Sequence, residues 1–299
     1  MKTGRSMEMP PDYARMRNDL IEAFPKENIQ NMDILSVEKF LTSRGMEIKP
    51  YLVLEEDDIS KVREIIGSAD FFHGMLEGGE FAGSYIPELD MAFVFRRGKV
   101  KEAISSSGDI FSEGLLVHEL GHASSEYREY VTTEGKSAAV PRIGFCLTEH
   151  QFGDSVPMRG LLLEEGWADM LYGDYIADTP KEKKHLLTEA LGDDMERLIT
   201  FPLPGIGKVE MPLKYVYLDE DNSPSVRITS LAAYALELLC QKNPNIKPLL
   251  SEGRHSVDAL RKLAQEINKI EPGLYEYLQV GNYTLDSFGT KLAHILSLV

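Results

Sequence analysis

Two histidines lie four residues apart in the segment His118-Glu119-Leu120-Gly121-His122. On an α-helix, side chains four positions apart share a face and lie about 6 Å apart. Two imidazoles at that spacing can bind one zinc ion, each at about 2.0–2.1 Å. Glu119 is rotated by about 100° from His118, so its carboxylate can reach a water molecule on the metal and accept a proton. The segment therefore predicts a zinc site with a general base beside it.

A catalytic zinc site usually has three protein ligands and one open position, so a third ligand is required. The metzincin pattern would place a histidine at position 128, where this chain has Arg128. A better source is the segment 161–169, in which Glu165 and Asp169 are four residues apart and share a helix face. One of them can bind the metal while the other accepts a ring N–H from a ligand histidine. Glu164 points elsewhere and is predicted to be a carboxylate on the helix surface.

These two segments together resemble the gluzincin zinc metallopeptidases, the clan of thermolysin-like and aminopeptidase-like enzymes. Members carry H-E-x-x-H and then a ligand glutamate on a downstream helix, often followed by Gly-x-Ala, as Glu165 is here. The resemblance implies one Zn2+ held by His118, His122 and Glu165. It also implies that Glu119 is the general base and that Asp169 is the hydrogen-bond partner that orients a ligand histidine. It indicates the clan and no specific family.

Hydrolysis in this clan also uses a side chain that donates a hydrogen bond to the oxyanion, often a tyrosine or a histidine. We predict Tyr234 for this role, and the alternatives are Arg227, Tyr215, Tyr217 and His150. Tyr234 can equally be a core residue, because leucines surround it at helical spacing. The sequence therefore leaves the identity of this donor open.

The elements that must position these residues follow from hydrophobic periodicity and from capping residues. The pattern predicts strands over 48–54 and 89–96, a helix over about 110–127 and a second helix over about 158–176. From residue 181 onwards it is mostly helical, over 182–200, 226–242, 256–269 and 284–298. Strands and helices first, then mainly helices, indicate an α+β fold. We predict a zincin-like catalytic lobe with a mixed sheet and the active-site helices over 1–178, and a mainly helical C-terminal lobe over 179–299.

The composition is that of an ordinary globular chain, with 299 residues of which 43% are hydrophobic and 27% charged. The formal net charge of −16 disfavours nonspecific binding to nucleic acid or to an anionic membrane, which carry charge of the same sign. No stretch approaches the roughly 18 apolar residues of a membrane-spanning helix, and the N-terminus lacks the apolar segment of a secretory signal. Cys146 and Cys240 are expected to be buried thiols, with one disulfide as the alternative. We therefore expect a cytoplasmic protein without nucleic-acid or membrane partners.

These observations predict a zinc metallopeptidase that hydrolyses peptide or protein substrates, with a zinc-activated water and Glu119 as general base. The resemblance also suggests that Met91–Phe95 lies at a sheet edge, where an extended peptide could pair with it, while an internal strand is the alternative. A catalytically silent gluzincin-like zinc protein that binds a peptide or another partner is the second hypothesis. The intact Glu119 favours the enzyme, because a binding module has no chemical need for a base at that position. Hydrolysis of a non-peptide amide stays open, since the metal chemistry is the same.

Overall fold

The computed structural model describes residues 4–6, 8–67, 82–124, 128–133, 136–143, 145–147, 160–203 and 207–299. The architecture of this part is α+β, with small sheets and a majority of helical residues. Its α-helices are α1 (Pro11–Ala23), α2 (Ile34–Thr42), α3 (Ile59–Ile66), α4 (Lys99–Ser107), α5 (Ile110–Ala123), α6 (Leu161–Asp178), α7 (His185–Leu191), α8 (Ile228–Lys242), α9 (Ile246–Glu252), α10 (Val257–Asn268), α11 (Leu274–Gln279) and α12 (Leu285–Leu298). Its strands are β1 (Gly4–Ser6), β2 (Tyr51–Glu55), β3 (Gly83–Ile86), β4 (Met91–Arg96), β5 (Arg128–Thr133), β6 (Lys136–Ile143), β7 (Cys146–Leu147), β8 (Leu198–Leu203), β9 (Gly207–Pro212), β10 (Val216–Leu218) and β11 (Pro224–Val226).

The sheet that packs against the histidine helix α5 has the strand order β2-β4-β3. β2 runs parallel to β4, with Tyr51 opposite Ala92, and β3 runs antiparallel to it, with Ile86 opposite Met91. The prediction that Met91–Phe95 lies at the sheet edge is therefore wrong, because this strand is the central one. Its apolar side chains are buried along the whole strand, as expected where both faces of a sheet are covered. Among the described strands of this sheet, β2 and β3 lie at the two edges.

The other described strands form small antiparallel sheets: β1-β5-β6-β7, β8-β9 and β10-β11. The region 182–200, predicted as one helix, is only partly helical. α7 ends at Leu191, because Gly192 follows with a φ of +89°, a left-handed conformation that favours glycine. Leu198–Leu203 then forms β8, in which Ile199 and Thr200 have the branched side chains that favour a strand. The other helices predicted after residue 181 occur as α8, α10 and α12, within two residues of their predicted bounds.

One apolar core joins the two predicted lobes. Its buried members include Leu116 of α5, Leu163 of α6, Leu236 of α8 and Leu292 of α12. Helix α6 packs against both α5 and α8, so it lies between elements of the two predicted lobes. A second, smaller core lies between the β2-β4-β3 sheet and the helices α1 and α3. The division of the chain at residue 178 stays a prediction.

Two smaller expectations concern the membrane and the cysteines. None of the described helices is long and apolar enough to cross a membrane. Cys240 is a free, half-buried thiol, so the disulfide with Cys146 is not formed. Burial raises the pKa of the Cys240 thiol to about 12. The side chain of Cys146 lies outside the described part.

Candidate metal centre

The histidine helix α5 is buried along its whole length, its polar residues included. His118 and His122 project from one face, and their Nε2 atoms lie 3.0 Å apart. Helix α6 packs against α5 and brings Glu165 to the same point. The Oε2 atom of Glu165 lies 3.3 Å from Nε2 of His118 and 3.6 Å from Nε2 of His122. The three predicted ligands therefore form one cluster, with all their ligand atoms within 4.8 Å of one another.

The geometry of this cluster can be compared with that of a zinc site. The three ligand atoms form a triangle with sides of 3.0, 3.3 and 3.6 Å. Ligands at about 2.0–2.1 Å from a tetrahedral zinc ion are separated from one another by about 3.3 Å. Two imidazoles and one carboxylate are also a ligand set of catalytic zinc sites, in which the fourth position stays open. The residues present therefore fit a zinc ion.

The other ring nitrogen of each histidine faces a buried carboxylate. Nδ1 of His118 lies 2.9 Å from Oδ1 of Asp169, and Nδ1 of His122 lies 2.9 Å from Oε1 of Glu164. A neutral imidazole that donates its Nδ1–H to a carboxylate keeps a lone pair on Nε2. Both rings are thus oriented so that their Nε2 lone pairs converge beside Glu165. This is the arrangement that a metal ligand requires.

The prediction that Glu164 is a carboxylate on the helix surface is wrong. Its side chain is 1% exposed and accepts three hydrogen bonds: from His122, from the backbone N–H of Phe145 at 2.9 Å and from Arg254 at 2.8 Å. Burial raises the pKa of Glu164, but the charge of Arg254 and the hydrogen bond to His122 lower it by more. The pKa of Glu164 therefore lies below its ordinary value. Only a partial signal for this role was available in the sequence, because a ligand histidine donates its other ring N–H to a carboxylate, a backbone carbonyl or a water.

Asp169 is fully buried and holds His118 within a network of its own. Its Oδ2 accepts a hydrogen bond of 2.8 Å from the Ser230 hydroxyl, and its Oδ1 also forms an ion pair with Arg227. Burial raises the pKa of Asp169, but the Arg227 charge and the hydrogen bond to His118 outweigh it, and the pKa lies below its ordinary value. Asp169 therefore stays ionised at neutral pH, as an orienting acceptor must.

The carboxylates set the ionisation of the two histidines. Burial lowers the pKa of His118, but its hydrogen bonds to Asp169 and Glu165 outweigh this effect and raise the pKa above its usual value. Burial also lowers the pKa of His122, but the charge of Glu165 and the hydrogen bond to Glu164 raise it by more. The pKa of His122 therefore lies well above its usual value. The cluster consequently attracts positive charge, either protons or a cation.

Glu119 lies beside the cluster and against the edge strand β3. Its side chain is buried, and a Cβ atom added to Gly83 would lie 2.7 Å from its Oε1. Burial raises the pKa of Glu119 above its ordinary value, although the charges of His118 and His122 oppose the shift. A carboxylate with a raised pKa is a stronger base than an ordinary glutamate. This is the chemistry expected of a general base.

The predicted oxyanion donors lie in different environments. Arg227 forms an ion pair with Asp169, and its guanidinium lies 3.9 Å from the centre of the Tyr172 ring. Tyr234 is buried on α8, where burial and then the charges of Glu237 and Glu210 raise its pKa. Both carboxylates lie outside the metal cluster, so nothing in this environment supports Tyr234 as the donor. Its assignment stays a prediction.

The remaining candidates for the oxyanion donor are Tyr215, Tyr217 and His150. Tyr215 is buried against Gly173, where an added Cβ would lie 2.6 Å from its ring. The ring of Tyr217 packs on that of Phe111, with their centres 5.1 Å apart. His150 lies outside the described residues.

Sequence reasoning missed Tyr283, which lies in the loop between α11 and α12. Its ring packs edge-on against Phe288, with the ring centres 5.7 Å apart. Tyr283 is 49% exposed, and partial burial, followed by the charges of Glu165 and Asp169, raises its pKa. No sequence signal could have found it, because it follows Glu165 by more than one hundred residues.

Comparisons of the chain with models of known families, with curated proteins and with solved structures gave no match.

Proposed function

We propose that this protein is a zinc-dependent metallopeptidase that hydrolyses peptide bonds. The observation that carries the proposal is the convergence of His118, His122 and Glu165 beside the buried carboxylate of Glu119. These three residues would hold the ion, and their ligand atoms have the separations of a tetrahedral site. The resemblance of the two segments to gluzincin metallopeptidases supports the same reaction.

A zinc ion held by His118, His122 and Glu165 would supply Lewis-acid chemistry: it would polarise the scissile carbonyl and lower the pKa of a bound water to about 7. Glu119 accepts the proton of the attacking water and delivers it to the leaving nitrogen. Its burial raises its pKa and so favours the acceptance of this proton from the water. Glu119 is thus both the general base and the general acid of the proposed reaction.

Positive and hydroxyl groups near the cluster are candidates for stabilising the oxyanion. Arg227 is held by Asp169 at the start of α8, and its charge also acts on Glu119. Tyr283 lies in the loop before α12 with 49% of its surface exposed, and partial burial followed by the charge of Glu165 raises its pKa. Both are hydrogen-bond donors, which is the property that the developing negative charge requires. We propose Arg227 and Tyr283 for this role ahead of Tyr234.

The edge strand β3 supports a peptide as substrate. Among the described strands β3 pairs only with β4, and its first residue, Gly83, contacts Glu119. An extended peptide can pair with the free edge of such a strand through backbone hydrogen bonds. A peptide bound in this way would pass beside the carboxylate of Glu119. This feature favours a peptide over other amides.

The test combines metal analysis with one substitution. Purified protein should contain about one zinc per chain, and Glu119→Gln should keep that zinc while it loses about 10²–10⁴-fold in hydrolysis of a fluorogenic peptide library. Glu113→Gln is the matched control, because Glu113 is a buried glutamate of the same helix that bonds Asp33 and Tyr175 instead. Folded protein that binds no zinc, or a Glu119→Gln variant as active as the parent, would contradict the proposal. Zinc binding without any hydrolysis by the parent would favour the silent binding module.

A further inference from the structure

We infer that Glu164 and Arg254 are positioning residues that hold His122 ready for a metal ion, with Arg254 supplied by the C-terminal half of the chain. The inference rests on the proposed function to the extent that His122 is a metal ligand. It concerns the hydrogen bonds of Glu164 to Nδ1 of His122 and to Arg254, which do not involve the metal-ligand atoms.

Arg254 is the largest of the fully buried side chains, with 1% exposure, and it lies in the loop between α9 and α10. Its Nη1 donates to Oε1 of Glu164 at 2.8 Å, and its Nη2 donates to the carbonyl of Gly121 at 2.8 Å. Its guanidinium also lies 3.7 Å from the centre of the Trp167 ring. One side chain therefore contacts both α5 and α6 within a turn of His122 and Glu165.

The acceptor of this arginine, Glu164, is held from three segments. Its Oε1 accepts from Arg254 and from Nδ1 of His122, and its Oε2 accepts from the N–H of Phe145. A carboxylate with this many donors has one orientation, and so does the imidazole that is bonded to it. The position of the His122 ring thus depends on Arg254 through Glu164.

The charge of Arg254 is needed because Glu164 is buried. A buried carboxylate without a counter-charge is costly, and it relieves that cost by moving toward water or by neutralising. His118 has the same arrangement, in which Asp169 accepts from the ring and pairs with Arg227. Each ligand histidine is therefore backed by a carboxylate and an arginine. The repetition indicates that the arginines serve the histidines and not packing alone.

The test measures zinc affinity by competition with a chromophoric chelator. Arg254→Met should weaken zinc binding by about 10–100-fold, the usual effect of losing an outer partner of a metal ligand. Glu164→Gln combined with Arg254→Met should bind zinc more tightly than Arg254→Met alone, because a neutral amide needs no counter-charge but still accepts from His122. A purely structural role of Arg254 would not produce this rescue.

Two further variants complete the series. Arg96→Met is the matched control, since Arg96 is also a buried arginine but pairs with Asp109, and its zinc affinity should stay within about twofold of the parent. Arg254→Lys keeps the charge but cannot bond Glu164 and Gly121 together, so it should weaken zinc binding by about 3–10-fold. If Arg254→Met does not fold, the zinc affinity of Arg254→Lys tests the inference instead.

The outcomes separate this inference from the proposed function. Parent protein that binds no zinc would overturn the proposed function. Parent protein that binds zinc while Arg254→Met or, failing its folding, Arg254→Lys binds it equally well would overturn only the positioning role. A double variant that binds zinc no better than Arg254→Met would do the same.

Discussion

At the scale of single residues, each histidine of the cluster has its two ring nitrogens in opposite surroundings. The Nδ1 atoms of His118 and His122 face the carboxylates of Asp169 and Glu164, while both Nε2 atoms face Glu165. Because a neutral ring has one N–H and one lone pair, the carboxylates decide which nitrogen is free to bind a cation. The residues that are hydrogen-bonded to the two histidines therefore determine which atoms of the site can bind a cation.

The contact between Gly83 and Glu119 leads to a prediction at the same scale. A Cβ atom at Gly83 would lie 2.7 Å from Oε1 and 2.8 Å from Cγ of Glu119, and 2.9 Å from the carbonyl of Phe93. Gly83→Ala must therefore displace the base, and a misplacement of about 1 Å can cost about 10²-fold in rate. We expect kcat to fall by about 10–100-fold while zinc affinity stays unchanged, because Glu119 is not a ligand.

Steady-state kinetics and zinc competition measure the two quantities. Ser84→Ala is the control, since successive side chains of a strand point to opposite faces and the Ser84 hydroxyl bonds the carbonyl of Tyr85. An unchanged kcat in Gly83→Ala would show that Glu119 has room to move and that its position is not critical.

At the scale of elements, the site depends on the close approach of α6 to its neighbouring helices. Gly114 of α5 leaves space for the ring of Tyr172, which would lie 2.4 Å from an added Cβ. Gly166 of α6 lies against α8, where an added Cβ would be 2.8 Å from the carbonyl of Ala232. These glycines let three helices pack closely enough for α5 and α6 to share the metal cluster.

For a glycine-to-alanine substitution, helix packing predicts a change in stability opposite in sign to the change that helix propensity predicts. Alanine is ordinarily about 1 kcal/mol more favourable than glycine inside a helix. Gly166→Ala should nevertheless lower the free energy of unfolding by about 1–3 kcal/mol, because the clashing atom belongs to a backbone that cannot rotate away. Urea unfolding of the metal-free protein measures the change.

Gly121→Ala is the comparison for this prediction. Its Cβ would be tight only against side-chain atoms that can shift, 3.1 Å from Leu171 and 3.2 Å from Trp167, and the backbone Cα of Ala168 would lie at an ordinary 3.7 Å. We expect its loss of stability to be smaller than that of Gly166→Ala. A Gly166→Ala variant more stable than the parent would mean that α6 and α8 are not closely packed at this point.

At the scale of the whole molecule, the shared apolar core and Arg254 connect the metal cluster to the C-terminal half. A ligand that binds only the folded state raises stability by RT ln(1 + [L]/Kd), about 2.7 kcal/mol at 100 times Kd. Zinc at that concentration should raise Tm by roughly 3–5 °C relative to chelator-treated protein, in a single transition. Differential scanning calorimetry measures both the shift and the number of transitions.

Two variants test the origin of this stabilisation. His118→Ala should abolish the zinc-dependent shift, because it removes a ligand, whereas Glu119→Gln should keep it. Separate transitions for the two halves would argue against one cooperative core, and an equal shift in His118→Ala would place the metal elsewhere.

The parts of the site that sequence alone predicted are those set by local helix geometry. The spacing of His118 and His122, the offset of Glu119 and the pairing of Glu165 with Asp169 each depend on residues within one turn. For the same reason the bounds of α5, α6 and β4 were predicted to within a few residues. Hydrophobic periodicity reports local conformation directly, since it repeats within a single element.

Tertiary packing decided the contacts that join distant segments. The local sequence predicts that Glu164 is an acidic surface residue. Only the ion pair with Arg254, ninety positions later in the chain, makes its burial possible. The edge position of β3 likewise follows from which elements pack together. A buried charge is stable only where its partners meet in space, and no local pattern records which distant partners those are.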